Sequence, residues 1–167
     1  MPEPREHAAA DQAEQQVELF REATTMAVYV SISLLAVLAA IPLDSRSERA
    51  ITVGLTGIAL LLAHWLAARI TSNFNISELK TAEGLQVLAA QVGGGLLATV
   101  VAVVPLLVLP AGLEVMTSAG LLVLLVCAVS FYAARVNGRS VLSALAYSAA
   151  IIVVAAAIVA LKSALEH

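Results

Sequence analysis

Long apolar runs alternate with short polar stretches along this chain, and five of them, residues 24–43, 50–70, 85–109, 115–134 and 141–161, each hold at least 20 residues. A helix rises about 1.5 Å per residue, so about 20 apolar residues match a hydrocarbon core of roughly 30 Å. Within a bilayer the backbone amides have no water to bond, and a span must satisfy them internally. The runs are continuously rich in Leu, Ala and Val, without the alternation of a membrane β-barrel. The pattern predicts an all-α polytopic membrane protein with five spans and one membrane domain over residues 24–162.

Residues 1–23 form a polar N-terminal segment, of which 8–23 read as a separate amphipathic helix lying before the membrane. Val17, Leu19 and Phe20 supply apolar surface, while Glu14, Glu18 and Glu22 follow one another at i, i+4, i+8 on one face. Two readings of that acidic row stand. It is a solvated cytoplasmic or interfacial face, the commoner outcome for such rows, or it gathers a divalent cation through oxygen ligands.

Local chemistry places the ends of the spans. Ser45 with Glu48, and Asn75 with Glu78, form capping-box patterns before the second and third spans. Asn137-Gly138 marks a tight turn that makes the last two spans antiparallel neighbours. In the third span Gly93, Gly94 and Gly95 predict a thin, bendable centre and Pro105 a kink or stop, so this helix is expected to break. Five spans put Arg5, Arg21, Arg69, Lys80, Arg135 and Arg139 on one side and Arg46, Arg49 and Lys162 on the other. The excess predicts a cytoplasmic N-terminus in the cell (inner) membrane.

Composition then narrows the function. The net charge is −3, Lys and Arg form no stripe, and nothing points to nucleic acid. No loop is large enough for a soluble catalytic domain, and no nucleophile, metalloprotease or phosphate-loop motif is present, so an enzyme is not expected. No cleavable signal peptide is evident, and the lone Cys127 is expected to be a small core residue. Leu165-Glu166-His167 resembles the start of a tag scar and is set aside.

An ionisable group inside a span costs a few kcal/mol and marks function by default. His64 fits that description, roughly two-thirds along the second span beside Trp65. It is a metal ligand or proton relay, or else a histidine hydrogen-bonded to a neighbouring helix near the headgroups. Gln91, just ahead of the glycine triplet, offers an amide to whatever the thinned helix approaches. Glu83 and Glu114 fall at span ends and are expected to reach water. Gly54, Gly57 and Ala98, with the strip Ala144, Ser148 and Ile152, predict close helix packing within a subunit or between two.

The segment Arg135-Val136-Asn137-Gly138-Arg139-Ser140 before an Ala-rich last helix, the glycine-rich third helix from Leu88 to Pro105, and the small-residue rhythm from Gly54 to Ser72 resemble the vacuolar iron transporter family of five-helix divalent-metal transporters. The likeness covers about residues 24–162. It implies a homodimer with a path between protomers and divalent-metal transport. That family's metal ligands are an acidic residue in the first helix, Met with Glu in the second, and an acidic segment between the second and third. Here the first span has neither Asp nor Glu, the second has His64 and no Met, and only Glu78 and Glu83 lie between the second and third. The iron chemistry therefore does not transfer with the resemblance. The expected function is transporter-like, with a divalent cation (iron or manganese) as the candidate cargo under altered or lost selectivity. His64, Gln91, Glu14, Glu18 and Glu22 are the path candidates. The alternative is a non-transporting membrane module that binds a partner protein or lipid.

Overall fold

The computed structural model describes residues 4–40, 45–72 and 82–136, with 138, 140–143, 145, 146, 148–150, 153 and 157 beyond them. Four long helices account for most of these: α1 (Pro4–Ala40), α2 (Arg46–Ser72), α3 (Ala82–Val108) and α4 (Glu114–Val136). Each is long and apolar enough to cross a membrane. No strand occurs among the described residues. The helical reading of the first four runs holds, each helix beginning before its run, with 41–43 outside the described residues and α3 stopping at Val108. For the fifth run, Val141–Ala150 is an apolar helical stretch, and the rest falls largely outside the described residues. So do the Asn75 cap, the segment 73–81, Asn137 and the terminal 165–167.

Residue pairs across the interfaces set the topology. Gln15 meets Gln86 and Glu22 meets Gln91, so α1 and α3 run parallel. Gly57 lies against Thr99, Leu61 against Gly95 and His64 against Gln91, so α2 runs antiparallel to α3. Phe20 packs edge-on against Tyr132, ring centroids 5.1 Å apart, which brings the N-terminal half of α1 to the C-terminal end of α4. This is an up-down-up-down bundle.

Each helix turns a row of residues spaced four apart toward the centre. On α1 the row is Met26, Val30, Leu34 and Leu38; on α4 it is Glu114, Ser118, Leu122, Val126, Ser130 and Ala134. Leu106, Ala98 and Ala102 of α3 and Val53 and Leu61 of α2 complete the core. The opposite faces carry exposed Ile51, Leu55, Ile58, Leu62 and Leu66 on α2 and Met116 and Leu124 on α4, an apolar exterior compatible with a membrane.

Two expectations are corrected here. The N-terminal segment is not a separate amphipathic helix, because α1 continues from Pro4 to Ala40 across the expected boundary at residue 23. No Gly or Pro lies between residues 5 and 40 to stop it, and Thr24 and Thr25 bond back to the carbonyls of Phe20 and Arg21 instead of capping a new helix. At 37 residues α1 exceeds the hydrocarbon thickness by about 25 Å.

The third helix does not break at Gly93, Gly94 and Gly95 or at Pro105, for α3 is helical from Ala82 to Val108. The glycines serve packing instead. A Cβ on Gly94 would stand 1.9 Å from the Ala23 carbonyl oxygen of α1, and one on Gly95 would stand 2.4 Å from Leu61 Cδ2 of α2. Gly93 has nothing within 4 Å of that position. Gly57 repeats the device at 2.4 Å from Thr99 Oγ1, as the small-residue reading of Gly57 predicts.

Pro110 and Gly112 then end the helix. Leu113 N–H donates to the Pro110 carbonyl at 3.2 Å, and Gly112 takes a φ of 95°, as the third residue of a type II turn requires. Pro110 also has no N–H for the Leu106 carbonyl, and Arg46 of α2 takes over: its Nε donates to Leu106 O at 2.8 Å and its Nη2 to Leu107 O.

Candidate functional site

Two polar groups interrupt the apolar interior, one near each end of the bundle. The first assembles three of the residues expected from sequence, each from a different helix. Glu22 sits one turn before Met26 and prolongs the buried row of α1; Gln91 lies on α3 one turn before Gly95; His64 lies on α2 one turn after Leu61. The close approaches at Gly94 and Gly95 draw α1 and α2 against α3 at this level, so the three side chains meet. Gln91 Nε2 donates to Glu22 Oε2 at 2.8 Å, and Gln91 Oε1 lies 2.9 Å from His64 Nε2.

An amide oxygen only accepts, so this contact is a hydrogen bond donated by His64 Nε2. The other Glu22 oxygen accepts from Arg21 Nη2 at 3.3 Å, and the same Nη2 stands 3.6 Å from Glu18. Glu18, Arg21, Glu22, Gln91 and His64 thus form a continuous polar chain. It runs from exposed side chains at the bundle end to a half-buried imidazole inside, with Glu22 26% exposed at its middle. Arg69 stands 5.4 Å over the Trp65 ring beside His64, a cation–π contact at that end of α2.

The acidic row therefore divides. Glu22 joins His64 and Gln91, Glu18 reaches the chain through Arg21, and Glu14 stays exposed on α1. As metal ligands the assembled groups offer one imidazole, one carboxylate and one amide oxygen. Among the described residues no group of three or more His, Cys, Asp or Glu stands together. A divalent cation here would complete its shell with water or backbone carbonyls.

The second polar group was not expected. Glu114, read from sequence as reaching water at a span end, is 1% exposed, and its Oε1 accepts from Arg49 Nη2 at 2.7 Å. Arg49 is itself buried. The turn over Pro110 to Leu113 tucks the first residue of α4 against the first turn of α2, so both leave the surface. The signal was present in the sequence: Glu114 stands in register with Ser118, Leu122 and Val126, the inward row of α4.

Other expectations fall into place more simply. Ser45 caps α2, its Oγ accepting from Glu48 N–H at 3.5 Å. Gly138 takes a φ of 73° in the turn after α4. Ser31, Ser33 and Thr99 bond back to their own helices, whereas Ser118 donates across to the Ala102 carbonyl of α3 at 2.6 Å. Cys127 is half-buried rather than buried. Comparison with family models, curated proteins and solved structures yields no match.

Proposed function

We propose that this chain is a small transporter-like integral membrane protein whose Glu22, Gln91 and His64 form a cation-handling centre. The observation that carries the reading is their convergence. Three side chains from three helices, 27 and 69 residues apart in sequence, make one hydrogen-bonded unit inside an apolar bundle, where an ionisable group is costly unless it works. The imidazole of His64 suits a proton or a divalent cation such as iron or manganese, and the carboxylates of Glu22 and Glu18 provide an entry of matching charge, with Arg21 their counter-ion. The cargo enters from the end that carries Arg21, Arg69 and Arg135, which the positive-inside rule makes the cytoplasmic face of the inner membrane. Residues 141–161 supply a fifth span, and small-residue faces pair two copies into a homodimer, as the resemblance to the vacuolar iron transporters implies, each copy holding its own centre.

A second reading, a non-transporting module that binds a partner protein or lipid, is favoured by a different observation. Between the two polar groups the interior is filled by Val30, Leu34, Val53, Leu106 and Leu122, all with no exposed surface. In that reading the polar groups lock the helices, and the exposed N-terminal part of α1 meets the partner.

Flux of Fe²⁺, Mn²⁺, Zn²⁺ and protons into proteoliposomes separates the two. The transporter reading expects flux of at least one of these cations and its loss in His64→Ala and Glu22→Gln. Absence of flux for every ion in the wild-type protein overturns it in favour of the binding module.

A further inference from the structure

The Arg49 and Glu114 pair is half made. A guanidinium and a carboxylate pair most strongly through two parallel hydrogen bonds, yet here one bond forms, Nη2 to Oε1 at 2.7 Å. Arg49 Nε and Glu114 Oε2 are both buried, and among the described residues neither has a protein partner. Leaving a buried donor and a buried acceptor unpaired is costly, more so when both belong to charged groups, and such atoms in folded proteins are normally met by ordered water or a ligand. The neighbouring side chains do not meet the need. Arg46, one turn earlier, is committed to the Leu106 and Leu107 carbonyls, and Glu48 is exposed on the outer side of α2.

We propose that Arg49 and Glu114 form a buried binding site for a single water molecule, which accepts from Arg49 Nε–H and donates to Glu114 Oε2. The chemistry selects the guest. It must accept and donate at once, which excludes a metal cation and a simple anion, and it must fit beside atoms sealed from solvent, which excludes anything much larger. The site stands apart from the His64 centre, and its existence does not depend on what that centre handles. Its consequence is that the bundle is hydrated at both ends, and its dry length is confined to the layers of Val30, Leu34, Leu106 and Leu122.

Water-edited ¹⁵N solid-state NMR of the full chain in phosphatidylcholine bilayers tests the site without altering it, with Arg49→Lys used only to assign the Arg49 signal. Magnetisation from water is expected to reach Arg49 Nε–H within about twice the time it takes to reach exposed Arg21, and several-fold sooner than the amides of Val30 and Leu34. Arrival as slow as at Val30 and Leu34 overturns the proposal, since it means a dry pair.

Discussion

The two polar groups of this bundle differ in chemistry and in how they are held. Near one end a neutral amide spaces a carboxylate from an imidazole, and all three groups are only partly buried. Near the other an ion pair closed by one hydrogen bond is buried between α2 and α4. A buried pair gives little net stability, because desolvating both charges offsets most of their attraction, but removing one partner strands the other. The half-buried centre carries a smaller penalty, so its members can change charge or partner at lower cost. On the proposed reading, the Arg49 end serves architecture and the His64 end serves cation handling.

The largest effect expected from breaking that contrast is at the sealed pair. Glu114→Leu alone should cost about 3–5 kcal/mol, while Arg49→Met with Glu114→Leu should restore stability to near wild type or above. Unfolding titrations in mixed micelles measure both, and a double variant as unstable as the single one would refute an isolated pair. Next in size is Gly94→Ala, which drives a methyl into the Ala23 carbonyl and should cost about 1–3 kcal/mol or more. Its neighbour sharpens the comparison. Gly93→Ala meets nothing and should stabilise α3 by up to about 1 kcal/mol, so equal effects at both positions would show that α1 and α3 do not touch there.

Smaller again is Gln91→Leu, which removes both hydrogen bonds of the other centre. Because Glu22 keeps Arg21 and partial solvent contact, the loss should be about 1–2 kcal/mol. Flux, if the centre handles cations, should fall far more than stability does. A variant that loses neither would separate Gln91 from both roles.

Apolar run length made four helices legible before any coordinates, because hydrocarbon thickness leaves a spanning segment little choice. His64, Gln91 and Glu22 were legible singly, as polar groups in or beside spans, but their meeting was not, since it depends on which helices pack and at what level. Gly94 and Gly95 decide that level, and local reasoning took them for a break because a glycine lowers helix propensity whatever lies opposite it. The continuity of α1 was obscured by the change from polar to apolar composition, which marks a change of solvent and not an end of helix. Glu114 was misread for a related reason. Its place at the end of a run suggested water, whereas its four-residue register with Ser118 and Leu122 placed it inward.

The union of Glu22, Gln91 and His64 within the bundle is central to the proposed function. Solid-state NMR of selectively labelled protein in bilayers, reading through-space correlations from the His64 ring nitrogens, addresses it directly. A cross-peak from His64 Nε2 to the Gln91 side-chain amide, absent in Gln91→Leu, is the predicted result. A His64 ring that correlates only with lipid or water would contradict it.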